Sequence, residues 1–445
     1  MLPLHQCLHG AARTRDDHSI RSLRTGRLHS VEAVEGGAAG LRYAGAVTIA
    51  AFVVALLFAL LAASIHLVMP LYGLMVFRLV AAELATYLLI IEVVVAAIAL
   101  IALRDSARVA VLIVAVIGAV LAALPLTQIA GTIAASDRAL DAIGAPAGVA
   151  PAFRIATLFT GLPSAPNASE VRRTDDIPFR TVDGTTLRLD RYDPPANRSG
   201  RHPAIVVVHG GSWRNGDKGE GGIDPTITNR IFAARGYTVY DIQYRLVPLA
   251  TFPAPLEDVL CALGHVRAAA ASDNTDPSQV VLLGRSAGAH LALLAAYRAG
   301  RDPVPAGCAP AATVRGVIGF YSPTDLARAY AVPADPDLIS GSAVISDFLG
   351  GTPTTVPDRY RTATPQSALD RPVPPTLLLH GAADQIVKPD HSESLAAALT
   401  AAHDAVALVE IPWGGHGFDA ISWGPGGQIA LSAMLRFLAL VAPVA

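Results

Sequence analysis

Three uninterrupted apolar runs dominate the first third of the chain, over residues 44–69, 79–103 and 109–133. Each is close to the roughly 20 residues that an α-helix needs to cross the hydrocarbon core of a bilayer. A cleaved signal peptide has a single, shorter apolar core near the start of the chain. The pattern therefore predicts three transmembrane helices in residues 44–133, preceded by a basic segment, residues 1–43.

Basic residues are distributed unevenly around these runs. Arg104 and Arg108 lie between the second and third runs, whereas Arg78 is the only basic residue between the first and second. Six more arginines precede the first run: Arg13, Arg15, Arg21, Arg24, Arg27 and Arg42. The positive-inside rule then predicts a multi-pass protein of the cell membrane, with a cytoplasmic N-terminus and an extracytoplasmic C-terminal part.

Two carboxylates interrupt the second apolar run. Glu83 is expected at about the depth of His66 in the first run, where the two side chains can form a polar pair. Glu92 lies nearer the middle and has no evident partner. We favour helix packing over an ion or proton site, because a transporter is expected to have more spans and internal repeats.

The pattern changes after residue 133. Prolines and small residues predict a linker over residues 134–171. Apolar stretches typical of buried strands then alternate with helical stretches, and the strand candidates include residues 204–211, 237–244 and 280–284. This alternation predicts one α/β domain, residues 172–445, with a doubly wound, mostly parallel sheet.

Composition and charge exclude some classes of function. The chain of 445 residues is 52% hydrophobic and has a formal net charge of −2. With no basic stripe in its second half, nucleic acid is not an expected partner. The spacing of Cys7, Cys261 and Cys308 does not fit a metal site, and we expect Cys261 and Cys308 to be unpaired buried thiols rather than a disulfide.

The most specific motif is Gly-Arg-Ser-Ala-Gly at residues 284–288. It follows an apolar strand and precedes a helix rich in alanine and leucine. In that context a strained turn lifts the serine hydroxyl above the sheet, and bulk at Gly284 or Gly288 would collide with the neighbouring strand or helix. The pattern predicts Ser286 as a nucleophile.

A serine nucleophile needs a base and an acid that orients the base. His416, in a glycine-rich loop after the last strand, is the favoured base among the histidines. Asp384 follows a buried strand at the carboxyl edge of the sheet, and the order Ser, Asp, His is the one expected for this architecture. Asp325 also follows a strand and is the alternative acid.

The segment His-Gly-Gly-Ser-Trp at residues 209–213 supplies small residues with free backbone N–H groups. Such donors stabilise the oxyanion of a tetrahedral intermediate. We assign the oxyanion hole to Gly211, Ser212 and Ala287, and the substrate pocket to Trp213 and Phe418. The alternative, a phosphate-binding turn, is disfavoured because neither a Walker nor a dinucleotide spacing follows.

These four elements, in this order, resemble the α/β-hydrolase superfamily, and in particular the HGG-type esterases and lipases of the hormone-sensitive-lipase and feruloyl-esterase-like groups. The resemblance extends from about Arg173 to the C-terminus. It implies Ser286 as nucleophile, His416 as base and Asp384 as acid, without a metal or organic cofactor. Ser212 in the loop and Arg285 before the nucleophile favour the feruloyl-esterase-like and kynurenine-formamidase-like branch.

The sequence thus predicts a membrane-anchored carboxylesterase or lipase that cleaves a small-molecule or lipid acyl ester through an acyl-enzyme. A cap insertion over residues 324–371 is expected to set the substrate preference. Two other functions stay open. One is an amidase, deacetylase or peptidase with the same triad, and the other is a catalytically silent membrane scaffold or signalling protein.

Overall fold

A computed structural model describes residues 45–161, 168–196, 200–219 and 225–444. The basic segment at residues 1–43, with Cys7 and its arginines, lies outside these ranges. The N-terminal part is helical, with α1 (Gly45–Ser64), α2 (Tyr72–Glu83), α3 (Ala85–Ala102) and α4 (Asp105–Ala142). Of these, α1, α3 and α4 are long and apolar enough to cross a membrane. Their outward faces are apolar, as at Leu60, Ile101 and Val116.

The bounds of these helices differ from the predicted runs. The chain leaves the helical path after α1 and passes Pro70, which disfavours a helical conformation in the residue before it. Residues 79–83 belong to the short helix α2 rather than to a span. Helix α4 continues through Ala142, into the predicted linker, because its last turns are bound to the C-terminal domain through ion pairs of Arg436 with Asp137 and Asp141.

The C-terminal domain is built on an eight-stranded sheet in the order β1-β2-β4-β3-β5-β6-β7-β8. The pairs β1–β2 and β2–β4 are antiparallel, and every later pair is parallel. The strands are β1 (Arg172–Val182), β2 (Thr185–Asp193), β3 (His202–Val208), β4 (Thr238–Ile242), β5 (Thr275–Arg285), β6 (Val314–Phe320), β7 (Thr376–Gly381) and β8 (Val406–Ile411). This arrangement confirms the predicted doubly wound, mostly parallel sheet of an α/β-hydrolase.

Helices cover both faces of the sheet. Alternate residues of β3 enter different cores, with Val206 and Val208 in one and Ile205 and Val207 in the other, as the period of two along a strand requires. The helices are α5 (Thr157–Thr160), α6 (Pro225–Ala234), α7 (Ala254–Ala268), α8 (Ala287–Arg298), α9 (Leu326–Ala331), α10 (Gly341–Leu349), α11 (Pro357–Thr362), α12 (Asp390–Ala401) and α13 (Pro425–Val441).

The N-terminal helices pack directly on the C-terminal domain. Ala62, Leu88 and Leu140 belong to the same buried cluster as Trp413 and Phe437. The segment that the sequence indicates as a linker is docked as well, since the backbone N–H of Arg154 donates to Gln428 Oε1 at 3.0 Å. The two parts therefore share a hydrophobic core across their junction.

Two expectations about polar side chains are wrong. Glu83 does not pair with His66, whose ring nitrogen Nε2 bonds the carbonyl of Leu121 at 2.9 Å, and Glu83 instead bonds the C-terminal domain. Cys261 and Cys308 form a disulfide, with their Cα atoms 5.3 Å apart. Cys308 lies beside Cys261 of α7 only because of the fold. The two residues are 47 positions apart in the sequence, and that spacing does not indicate a contact.

Glu92 lies at the contact between α3 and α4. Its side chain is fully buried in α3, and its carboxylate oxygens have no hydrogen-bond partner among the described residues. A Cβ at Gly118 of α4 would lie 2.2 Å from Glu92 Oε1, so the carboxylate occupies space that the glycine leaves open.

Candidate active site

Ser286 occupies the turn between β5 and α8. Its backbone angles are φ 54° and ψ −121°, a strained conformation for a non-glycine residue that is typical of a nucleophile elbow. The two flanking positions must be glycine because neighbouring backbone atoms approach them closely. A Cβ at Gly288 would lie 2.2 Å from the carbonyl oxygen of His209, and one at Gly284 would lie 2.4 Å from the carbonyl oxygen of Gly288.

The structure brings the three predicted triad residues together. His416 Nε2 lies 3.0 Å from Ser286 Oγ, and His416 Nδ1 lies 2.7 Å from Asp384 Oδ2. Because a carboxylate only accepts hydrogen bonds, Nδ1 is the donor to Asp384. The neutral imidazole then leaves Nε2 as an acceptor for the serine hydroxyl, which is the tautomer that a general base needs.

Asp384 is held by its own loop. Its Oδ1 accepts hydrogen bonds from the backbone N–H groups of Ile386 at 2.8 Å and Val387 at 3.0 Å. Burial acts to raise the pKa of Asp384, but the charge of His416 and hydrogen bonds from His380 and His416 outweigh it. The pKa therefore lies below the ordinary carboxyl value, and Asp384 is ionised near pH 7.

The alternative acid and the alternative bases are engaged elsewhere. Asp325 caps α9 and accepts a hydrogen bond from the backbone N–H of Arg328 at 2.9 Å. His290 is fully buried and bonds the carbonyl of Ala363 at 2.6 Å, and burial lowers its pKa to about 4. His380 bonds Ser392 and the carbonyl of Val387, and its Nε2 lies 3.4 Å from Asp384 Oδ2 rather than beside Ser286. The sequence-based preference for Asp384 and His416 therefore agrees with the geometry.

A cavity of about 60 Å³ opens beside Ser286. Ser212, Trp213 and Ala287 line it, whereas Gly211 lies one residue earlier in the same loop and is not part of its lining. Its remaining wall comes largely from apolar residues of the segment between β6 and β7, including Val332, Pro333, Val344 and Ile345. Residues of the segment predicted as a cap thus line the cavity beside the serine.

Of the two aromatic residues assigned to the pocket, only Trp213 reaches it. Trp213 is stacked on Phe348, with ring centroids 4.3 Å apart. Phe418 is fully buried, packs against Phe320 and Tyr321, and is not part of the cavity lining. The expectation for Phe418 is thereby corrected: the loop turns after His416 and directs the next aromatic ring into the core.

Sequence reasoning missed a polar network behind the base. Arg285 Nε donates to Asp419 Oδ2 at 2.6 Å, and the hydroxyl of Tyr321 donates to Asp419 Oδ1 at 2.7 Å. The ring of Tyr321 lies 4.4 Å from that of His416, centroid to centroid. The network ties the loop of the base to the residue before the nucleophile. The signal in the sequence was Arg285 itself, which ends a buried apolar strand. A buried guanidinium requires an anionic partner, and that requirement predicts a carboxylate such as Asp419 nearby.

His391 is another cavity residue that the sequence did not indicate. It is buried on α12 and lines the cavity, with its Nδ1 accepting a hydrogen bond from the backbone N–H of Asp325 at 3.3 Å. Burial lowers its pKa to about 4, so it is neutral near pH 7. Within the described part of the chain, no cluster of three or more His, Cys, Asp or Glu side chains could hold a metal ion.

Known proteins resemble this domain. The profile of the BD-FAE family matches residues 189–399. Esterase LipQ of Mycobacterium tuberculosis is 30% identical over 263 residues, which are 57% of this chain and 59% of that protein. Esterase LipC of the same organism is 29% identical over 239 residues, 51% of this chain and 56% of that protein. The chain thus spans less than two thirds of the length of these relatives.

A solved structure agrees with the fold. Thermogutta terrifontis esterase 2, phosphonylated by sarin, superimposes with a TM-score of 0.50 at 24% identity, covering 64% of this chain and 98% of that one. The sheet order, the strained serine turn and the BD-FAE match all lie in residues 172–444. The chain therefore has the α/β-hydrolase fold.

Proposed function

We propose that the chain is a membrane-bound carboxylic ester hydrolase that forms an acyl-enzyme on Ser286. The observation that carries the proposal is the hydrogen-bonded chain from Ser286 through His416 to Asp384, at the wall of an apolar cavity. The relatives LipQ and LipC are named esterases, which favours an ester over an amide as the substrate.

In the first half of the reaction, the Ser286 hydroxyl oxygen attacks the ester carbonyl while His416 Nε2 takes the hydroxyl proton. Asp384 keeps the imidazole in the required tautomer and stabilises the imidazolium. The tetrahedral intermediate then collapses. Its C–O bond to the alcohol breaks, and His416 returns the proton to the leaving oxygen.

In the second half, water attacks the acyl carbon while His416 Nε2 takes a proton from it; the bond between that carbon and Ser286 Oγ then breaks, His416 returns the proton to Oγ, and the carboxylic acid leaves. We assign stabilisation of the oxyanion to backbone N–H groups of the predicted set Gly211, Ser212 and Ala287. Ser212 and Ala287 have the stronger support, because both line the cavity beside the nucleophile. A donor of this kind contributes about 3 kcal/mol to lowering the barrier.

The membrane arrangement is part of the proposal. Helices α1, α3 and α4 cross the cell membrane, with the N-terminus in the cytoplasm and the hydrolase domain outside it. The arginine distribution supports this orientation. The disulfide between Cys261 and Cys308 supports it independently, because disulfides persist mainly in oxidising compartments.

The test uses the full chain in detergent micelles with p-nitrophenyl esters, matched anilides and a fluorophosphonate probe. We expect ester hydrolysis and labelling in the wild type, and Ser286→Ala to lower kcat by about 10⁴-fold or more. Ser272→Ala, at an exposed serine after α7, is the matched control and is expected to keep full activity.

Each other outcome selects a different function. Faster hydrolysis of the anilides would indicate the amidase or peptidase alternative. Absence of both labelling and turnover in a folded chain would indicate the silent scaffold. Turnover that survives Ser286→Ala would exclude the proposed mechanism.

A further inference from the structure

The short helix α2 has an exposed apolar side and an inner side that contacts the loops carrying the triad residues. Tyr72 and Phe77 on its outer side are 55% and 63% exposed. On its inner side two charged residues, Arg78 and Glu83, are only 6% and 2% exposed. Burying charged groups is costly unless they are paired and hydrogen-bonded, so the partners of these two residues define what the helix holds in place.

Arg78 binds the loop of the catalytic acid, residues 381–387. Its Nη1 donates to the carbonyl of Ala383 at 2.8 Å, directly before Asp384, and its Nε donates to the carbonyl of Ile65 at 3.2 Å. On the other side of Asp384, the Gln385 side chain makes two hydrogen bonds with the backbone of Met69, of 3.2 and 3.1 Å. The N-terminal region thus hydrogen-bonds the residues on both sides of Asp384.

Glu83 binds the loop of the catalytic base at both of its ends. Its Oε1 accepts a hydrogen bond from Trp413 Nε1 at 3.1 Å, three residues before His416. Its Oε2 accepts one from the backbone N–H of Gly426 at 2.9 Å, in the first turn of α13. A single carboxylate therefore spans the segment from 413 to 426, within which His416 lies.

We propose that α2 is a positioning element of the active site, in which Arg78 holds the loop of Asp384 and Glu83 holds the loop of His416. The inference rests on the proposed function. It makes the N-terminal region a part of the catalytic machinery rather than an anchor alone. A displacement of about 1 Å in a triad residue costs about 100-fold in rate, which is the size of effect that these contacts prevent.

The test measures kcat, KM and melting temperature of the full chain in detergent micelles. Arg78→Ala is expected to lower kcat by about 100-fold. KM is expected to change little, because Arg78 does not line the cavity beside Ser286. Arg78→Lys retains a cationic donor group that can replace one of the two arginine contacts, and its kcat is expected to lie between those of Arg78→Ala and the wild type. The isosteric Glu83→Gln keeps an acceptor for Trp413 but turns an NH₂ donor towards the backbone N–H of Gly426, and it is expected to lower kcat by a smaller factor.

The matched control is Arg436→Ala. Arg436 joins α13 to α4 through Asp137, Asp141 and two backbone carbonyls, so its loss also weakens the junction. It touches neither triad loop. We expect a lower melting temperature with kcat within about twofold of the wild type, since distant sites act independently.

Chemical rescue separates positioning from general loosening. A cavity of about 430 Å³, lined by Arg78, Asp384 and Gln385, gives a small cation access to the place of the missing side chain. Added guanidinium ion is expected to raise kcat of Arg78→Ala and to leave Arg436→Ala unchanged.

The proposal is overturned if Arg78→Ala and Glu83→Gln keep wild-type kcat, or if Arg436→Ala loses as much kcat as Arg78→Ala. It is also overturned if guanidinium fails to rescue a folded Arg78→Ala. An inactive wild type, or activity that survives Ser286→Ala, refutes the proposed function instead, so the two failures are distinguishable.

Discussion

Replacement of Asp384 by asparagine tests the direction of every hydrogen bond in the triad. Oδ1 of Asp384 already accepts two backbone N–H groups, from Ile386 and Val387. An asparagine must keep its carbonyl oxygen at that position, since its NH₂ group cannot accept them. The NH₂ group then lies where Oδ2 was, facing His416 Nδ1.

This arrangement forces the wrong tautomer on the base. With a donor opposite it, His416 Nδ1 must accept, and the ring proton moves to Nε2, which faces Ser286 and can no longer take its proton. We expect kcat to fall by about 10⁴-fold, the loss typical of this replacement in serine hydrolases. That factor corresponds to about 5 kcal/mol of transition-state stabilisation.

The assay is kcat with a soluble p-nitrophenyl ester, alongside melting temperature as a function of pH. Because folding lowers the pKa of Asp384, its ionised form stabilises the wild type above the ordinary carboxyl pKa, and this contribution is lost as pH falls through the lower folded-state value. The wild type should therefore melt higher than Asp384→Asn at pH 7, and the difference should begin to shrink near pH 4 and close only as pH falls through the lower folded-state pKa.

Asp325→Asn is the matched control, because asparagine caps a helix as well as aspartate does. It is expected to leave both kcat and stability near wild type. A folded Asp384→Asn with kcat within tenfold of wild type would refute the reasoning, and a large loss in Asp325→Asn would point to the alternative acid.

Three further predictions follow from the packing and the topology. Gly288→Ala places a methyl group 2.2 Å from the carbonyl oxygen of His209 and is expected to destabilise the fold by about 1–3 kcal/mol and lower kcat, as thermal unfolding and ester turnover would measure. Cys308→Ser opens the disulfide and is expected to cost about 2–4 kcal/mol in chemical denaturation while kcat persists; unchanged stability would argue against the bridge. Because the other two cysteines are bridged, a membrane-impermeant maleimide should label Cys7 only after cells are permeabilised, and labelling of intact cells would reverse the topology.

The sequence was sufficient to predict the fold and to select three residues that the structure brings together. Strand and helix periodicity predicted the parallel sheet, and the elbow motif with chain order identified Ser286, Asp384 and His416. These signals are local: a strained turn needs its glycines, and the carboxyl ends of parallel strands meet at one edge of the sheet. Such features can be recognised without knowing what packs around them.

What the sequence could not predict depends on contacts across the junction. Arg78 serves as a topology signal in the sequence, yet its guanidinium is buried against the loop of Asp384. Glu83 was paired with His66 by depth in the bilayer, although its partners are Trp413 and Gly426, more than 300 residues away. Hydropathy alone does not show that α2 belongs to the domain and not to a span.

The most direct test of the account is to locate the covalent adduct on the enzyme. The full chain is treated with a fluorophosphonate, digested, and analysed by mass spectrometry for the peptide that contains Ser286. We expect about one adduct per chain, placed on Ser286 and absent from Asp384→Asn at matched reaction times. Ester hydrolysis by a chain whose adduct lies on another residue, or that forms none, would contradict it.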